Sequence, residues 1–413
     1  MKVLHITSWP GPPFDGGRIN RYHIFKRLAL RHRFRFIITR TLGEPGDMSA
    51  AALTQLGIPH EGVDFLSQAK VSVADRLRAL ALTGLPPGPA LYEARCGRAM
   101  REMVGKAVDQ WKPDVMMIWS PNWAGVLHGT AVGVRRILFP CDSMSMVNRN
   151  IAQSTRNVVR KVYNGELARR YHRYEKTYYP CYDHVVFVGP RDAAYVGLPD
   201  TLPVSVITNG VDADELRPNP EKPAGPPRIV FHGYLGYVAN QQCVRFLGDE
   251  VGPKLARELG PEGFSIRIIG GQGESLEQYV RSKPWMTMTG YVDDLGKELA
   301  AGAVYAAPLA MGGGVKNKVL EAMACGLPVV GAREAFEALD VRSGLHVVES
   351  SLAEFPRAVL ELLRDPARRK SLGASARDWV VQNASWDEAA RKFEQLFAPR
   401  SPRATAPSTE PAR

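Results

Sequence analysis

Cysteine is scarce in this chain, and its spacing is unpaired. Cys96, Cys141, Cys181, Cys243 and Cys325 lie scattered among 413 residues. An odd number without close pairs argues against a disulfide framework and against a structural zinc site, and fits a reducing compartment. Long hydrophobic runs are missing too. The most apolar extended window, Val115 to Val134, is interrupted by Ser120, Pro121, Asn122 and His128, so no membrane span is expected. The first residues, MKVLHITSWP, lack the length and cleavage region of a signal peptide and read as a strand, which makes a cytoplasmic protein the expectation. Nine histidines form no HExxH or other paired metal spacing, so no metal site is expected. Phosphate and dinucleotide signatures are also absent. No glycine pair leads into Lys-Ser/Thr at P-loop spacing, and the turn TSWPGPPFDGGR has the wrong glycine spacing for GxGxxG, which disfavours a dehydrogenase.

What is present is a globular composition, 45% apolar and 23% charged, with a formal charge of +11 that favours anionic partners without choosing among them. Short apolar runs alternate with helical patterns, the signature of parallel sheets wound with helices. Strands are expected at residues 2–6, 34–39, 114–119, 136–139, 184–188 and 204–207, then at 228–232, 265–269, 286–289, 303–307, 328–331 and 346–348. A helix is expected at 19–30. NGVDADELRPNPEKPAGPPRIVFHG is rich in Pro, Asn and Asp and reads as a linker. The expected fold is therefore α/β, with two doubly wound (Rossmann-like) parallel-sheet domains at 1–207 and 208–384. Facing each other, they would place the carboxyl ends of both sheets around one cleft. SWDEAARKFEQLF carries a candidate N-cap, Ser385, and an apolar helical face. A helix is expected there, 385–398. The tail, 399–413, is rich in Pro, Ser and Ala and expected to be disordered.

The chemistry concentrates in GGGVKNKVLEAMACG, beginning at Gly312. A strand leads through Pro308 into three glycines, and a helix is expected from Val315 or Lys316. Glycines let backbone N–H groups approach a ligand, and a helix N-terminus favours negative charge. Lys316 and Lys318 in the first turn are unfavourable unless an anion compensates them. Glu321 is placed to accept hydrogen bonds from ribose hydroxyls. The alternative is a glycine-rich loop with solvated lysines.

LEAMACGLPVV behind a glycine-rich turn and an APL strand end resembles the nucleotide-sugar-binding segment of family-four glycosyltransferases of GT-B fold. SWPGPPFDGGRINRYHIFKRLA, TNGVD, IRIIGGQG, TGYVDDL and SWDEAARKFEQLF resemble further pieces of that family in the same order, over nearly the whole chain. The resemblance implies a retaining sugar transferase of the surface-polysaccharide type, working without metal or cofactor on a nucleoside-diphosphate sugar co-substrate. A saccharide or lipid-linked acceptor is implied, and no nucleic acid. The helix at 385–398 is implied to be a closing helix packing back on the first domain. Gly16, Gly17, Gly233, Gly271, Gly313, Gly314, Val315, Lys316, Asn317 and Glu321 are the implied donor-binding positions.

Two departures stand out. The first of two glutamates usual in the family is replaced by Gly313. The Arg and Lys that usually grip the diphosphate are also missing, with Tyr234 and Asn240 in that neighbourhood. Lys318 is the expected substitute. In RRILFPCDSMS, Asp142 stands near the place of a family histidine and is expected as a catalytic group or as the cap of the next helix. His232 reads as a packed strand-end residue. Trp119, Asn122 and Arg21 are candidate acceptor or sugar contacts, although a tryptophan there also suits a core. From Arg149 to Lys176, eight basic residues face two acidic ones, either a solvated helix or a face for an anionic membrane. A GT-B epimerase and a catalytically degenerate sugar-nucleotide binder remain as alternatives.

Overall fold

The computed structural model describes residues 1–12, 16–41, 48–68, 73–74, 76–77, 81, 84–155, 157–219, 225–271, 274–309 and 315–398. The chain divides into two compact units. One comprises Met1–Val186, Val196–Ser205 and the stretch from Ala390; the other comprises Phe187–Tyr195 and Val206–Ala389.

The first unit carries a seven-stranded sheet: β1 (Lys2–Ser8), β2 (Arg33–Thr41), β3 (Gly62–Gln68), β4 (Val115–Ile118), β5 (Arg135–Cys141), β6 (His184–Phe187) and β7 (Val204–Val206), ordered β3-β2-β1-β4-β5-β6-β7. β1 pairs in parallel with both β2 and β4. The second sheet has β8 (Arg228–His232), β9 (Ser265–Ile269), β10 (Met286–Met288), β11 (Val304–Ala307), β12 (Val329–Gly331) and β13 (Val348–Glu349), ordered β10-β9-β8-β11-β12-β13. Central strands such as VMMI and VYAA are buried on both faces, which is why they read as continuous apolar runs rather than alternating ones. β3, GVDFLSQ, was not among the expected strands. It lies at the sheet edge, half-buried, and its Asp64 pairs with Arg35 on β2 at 3.1 Å, so polar residues dilute its apolar signal.

The helices that bear on function are α1 (Gly16–Leu28), α2 (Met144–Ser154), α3 (Val158–Tyr178), α4 (Val238–Phe246), α5 (Asn317–Ala324), α6 (Pro366–Asn383) and α7 (Trp386–Gln395). α5 is clamped from below. A methyl group on Gly373 of α6 would lie 2.1 Å from the Gly326 carbonyl oxygen, so only glycine allows this approach. The Arg377 guanidinium donates to Ala324 O at the end of α5, to Leu216 O at 2.8 Å and to Ala213 O at 3.0 Å. A cation there satisfies orphan carbonyls and the helix dipole together.

α7 begins as its sequence indicates, with Ser385 Oγ accepting from Glu388 N at 3.1 Å. Within the first unit, Phe393 sits 5.0 Å from the Trp119 ring and 5.2 Å from Phe139, centroid to centroid, and all three are buried. Arg31 Nη1 donates to Glu394 at 2.6 Å and Arg135 Nε to Leu396 O at 2.7 Å. Phe393→Ala is therefore expected to destabilise the first unit by about 3–5 kcal/mol, read as a lowered denaturant midpoint; a loss under about 1 kcal/mol would mean the aromatic cluster does not hold this helix.

Candidate functional site

In the second sheet the chain runs β8, β9, β10 outward, then crosses back to place β11 on the other side of β8. The carboxyl ends of β8 and β11 thus border a crevice, the place where open α/β sheets bind ligands. Four side chains meet there. Lys318, in the first turn of α5, donates through Nζ to Asn240 Oδ1 on α4 and stands 5.0 Å from the Phe231 ring centroid. One turn on, Glu321 Oε2 accepts from His232 Nε2 at 2.7 Å. The last residue of β8, His232, is buried; its other ring nitrogen, Nδ1, has no partner.

Gly233 follows with φ 150°, and a Cβ there would lie 3.0 Å from both Lys318 Nζ and Asn240 Nδ2. Glycine at this position leaves the room the ammonium occupies. Burial lowers the Lys318 pKa to about 8, partly opposed by Cys243 and Glu321. The same burial pushes the neighbouring Cys243 thiol up to about 12. α5 is further tied by Asn317 Oδ1, which accepts from Asn209 Nδ2 at 3.0 Å; Asn209 belongs to the TNGVD segment.

Of the expected donor-site residues, Gly233, Lys318, Glu321 and Asn317 come together here. Lys316 is the N-cap of α5, so the helix begins at Asn317 instead of at Val315 or Lys316, and Val315 packs on the core of the second unit. Gly313 and Gly314 lie outside the described residues. Gly271 follows β9, with the exposed Tyr291 ring 3.2 Å from its would-be Cβ. Gly16 and Gly17 form the first turn of α1. Sequence reasoning missed the His232–Glu321 and Asn240–Lys318 contacts, because each joins residues far apart in the chain.

In the first unit, Trp119, expected as a sugar contact or a core residue, takes the core place. It is 1% exposed and packed edge-on against Phe25 and Phe139. Arg21 is half-buried on α1, and Asn122 is half-buried in a short turn where its N–H donates to Ser120 Oγ at 3.2 Å. Asp142 is exposed just past β5, and it is not the cap of α2: Ser143 Oγ accepts from Met146 N at 3.1 Å. The residue before it, Cys141, has φ 70°, a conformation costing about 1–3 kcal/mol for a non-glycine residue and common at functional sites. Behind this turn Glu175, one of the two acids in the basic stretch, is wholly buried. It accepts from Ser145 N at 3.2 Å and from the hydroxyls of Ser143 and Ser145; burial raises its pKa against those hydrogen bonds.

A cavity of about 830 Å³ opens at the other edge of the second sheet, by the amino ends of β8, β11 and β12, lined by Pro218, Arg228, Ala303, Pro328 and Arg377 among others. It lies at the opposite end of the strands from Lys318 and Glu321. No group of three or more potential metal ligands occurs among the described residues.

The lysine gives a direct test. The unfolded chain holds its proton up to about pH 10.5, the folded chain only to about 8, so the charged ammonium lowers stability below pH 8 and the cost is relieved as pH rises between those values. Relative to Lys318→Met, the wild type should gain up to about 3 kcal/mol on going from pH 7 to pH 10 in chemical denaturation. Equal pH dependence of the two proteins would show that the ammonium is not desolvated.

Comparison with known proteins agrees with this arrangement. Residues 226–365 match the family described as glycosyl transferases group 1, a span that contains Lys318 and Glu321. Over 214 residues the chain is 27% identical to a GDP-mannose-dependent alpha-(1-6)-phosphatidylinositol monomannoside mannosyltransferase of Mycolicibacterium smegmatis, covering 46% of this chain and 55% of that protein. An uncharacterized glycosyltransferase of Methanocaldococcus jannaschii is 28% identical over 145 residues, 32% of this chain and 36% of that protein. The chain thus matches about half, or less, of the length of these relatives. Among solved structures, sucrose-phosphate synthase from Thermosynechococcus elongatus superposes with TM-score 0.65 at 17% identity, covering 96% of this chain and 98% of that one. HepE of Anabaena, in complex with UDP, gives 0.65 at 14% identity, covering 96% and 99%. With two parallel-sheet units of seven and six strands, the chain has the GT-B fold of these solved structures, and residues 226–365 of its second unit match the glycosyl transferases group 1 family.

Proposed function

We propose that the protein is a glycosyltransferase that moves a hexosyl group from a nucleoside-diphosphate sugar to an acceptor hydroxyl, with retention of configuration. The observation that carries this reading is the pair Lys318 and Glu321, one turn apart on α5 at the switch point of the second sheet. A lysine kept partly out of water beside a glycine backbone is poised for an anion, since an arriving diphosphate supplies the counter-charge that the site otherwise lacks. Glu321, oriented by His232, is the natural acceptor for ribose hydroxyls. In the reaction the bond between the sugar's anomeric carbon and the diphosphate oxygen breaks, and the acceptor oxygen bonds to that carbon. Negative charge develops on the leaving diphosphate, where the Lys318 ammonium and the N–H groups at the start of α5 stabilise it. The acceptor's proton passes to a carboxylate or to the leaving diphosphate. Asp142, turned outward by the Cys141 conformation, is the carboxylate we assign to the acceptor side.

The GDP-mannose dependence of the Mycolicibacterium smegmatis relative and the UDP bound by HepE support a nucleotide-sugar donor. The first of these acts on a phosphatidylinositol mannoside, which favours polysaccharide or glycolipid assembly at a membrane's inner face as the setting. Lys318 stands in for the cation pair missing from the neighbourhood of Tyr234 and Asn240, and Asn240 holds its ammonium.

Two experiments test the reading. In a panel of UDP-, GDP-, ADP- and TDP-sugars, one donor should raise the wild-type Tm, by about 2.7 kcal/mol of stabilisation at a hundredfold excess over Kd, and fail to do so for Glu321→Ala. Stabilisation of both proteins alike would remove Glu321 from the site. With that donor, Asp142→Asn should keep its fold and donor affinity and lose about 100-fold or more in turnover; full turnover would refute the assigned role.

A further inference from the structure

The α2–α3 hairpin carries a surface that the transfer chemistry does not use. Glu175, near the end of α3, is locked to Ser143 and Ser145 at the start of α2, just past the carboxyl end of β5. From there α2 runs outward to Ser154, and α3 runs back from Val158. At 1.5 Å per residue, Val158 stands about 25 Å along the helix from Glu175. The buried residues of α3 are Asn164, Leu167, Ala168, Tyr171, Tyr174 and Glu175, all from the second turn onward. Among the described residues, the buried part of the helix thus begins only past its first turn.

Solvated residues would ordinarily fill such a position. Instead Val158, Val159 and Val162 are exposed at 72%, 79% and 68%. Helices do not favour β-branched residues, and three together on an unpacked turn gain nothing from the fold. Arg160 and Lys161 stand among them, also exposed. Val158, Val162, Glu166, Arg169, Arg173 and Lys176 follow one another at helical spacing, and Glu166 pairs with Arg169 and Arg170, so the cations that adjoin the apolar tip are Arg160 and Lys161.

We propose that the tip of this hairpin seats on an anionic phospholipid bilayer. The three valines enter the headgroup–acyl boundary, and Arg160 and Lys161 pair with lipid phosphates. The small apolar tip supplies burial and the adjoining cations supply attraction to anionic lipid, two signals of the kind a reversible peripheral contact requires. The tip extends beyond the carboxyl edge of the first sheet, where Asp142 lies, so contact would bring that edge towards lipid-borne acceptors. Only this last purpose rests on the proposed transferase reading; the contact itself does not.

The test is co-sedimentation of the intact protein with vesicles, with neither donor nor acceptor present. Wild type should bind vesicles of phosphatidylglycerol mixed with phosphatidylcholine, and bind phosphatidylcholine alone at least about tenfold more weakly. V158S/V159S/V162S and, separately, R160S/K161S should each weaken binding to the mixed vesicles by about tenfold or more. Because these residues are exposed, unchanged circular dichroism and Tm should confirm that both variants fold. Transfer to a water-soluble acceptor should be the same in the variants and the wild type, so a failed transferase reading and a failed membrane contact give different results. Absence of wild-type binding, or binding indifferent to both variants, would overturn the proposal. So would a concentration-dependent dimer that the valine substitutions dissolve in the absence of lipid, which would give this face to a second copy of the chain.

Discussion

An ammonium group held largely out of water constrains the residues packed around it in the second unit. Lys318 loses hydration in its place between α4 and α5, and the surroundings compensate only in part: an amide oxygen from Asn240, the face of Phe231 and no carboxylate in direct contact. For that arrangement to exist, Gly233 must carry no side chain, α4 must present an amide where an apolar residue would suit the fold better, and α5 must be fixed in height and rotation. The glycine contact with α6, the Arg377 bonds at the end of α5 and the Asn209–Asn317 contact at its start provide that fixing. A helix held at both ends is the kind of rigid support that a binding site needs, because a small displacement would move both Lys318 and Glu321.

The sheet topology explains why these residues gather where they do. Reversal of strand order between β8 and β11 leaves the space beyond their carboxyl ends free of a crossing connection. The amino-edge cavity is lined by Arg369 and Arg377, whose guanidinium groups are taken up by backbone carbonyls of the fold. Chemistry and not volume is why the proposed site is assigned to the carboxyl end.

In the first unit a different device is at work. Cys141 adopts a left-handed backbone conformation, and the buried Glu175 fastens the start of α2 directly behind it. The strained turn is thereby held against a packed helical hairpin and leaves Asp142 exposed. The same hairpin carries the unpacked valines outward. One buried carboxylate thus anchors both the turn beside Asp142 and the base of the α2–α3 hairpin.

The sequence by itself determined the strand succession apart from β3, because strands buried on both faces are continuously apolar, as VMMI and VYAA are. It also marked α7, through Ser385 and the apolar face that meets Trp119, and it placed Lys318 and Glu321 one helical turn apart, since that spacing is local. It did not reveal β3, whose edge position tolerates polar residues. Nor did it distinguish Trp119 as core from Trp119 as cleft wall, because both are apolar positions at a strand end. Only the tertiary structure decided which partners desolvate Lys318, that His232 orients Glu321, that Ser143 and not Asp142 caps α2, and that Glu175 is buried within a basic stretch. Each of those outcomes depends on contacts between residues distant in the chain, and the free energy of burying a charge or an amide is set by neighbours that no local pattern encodes.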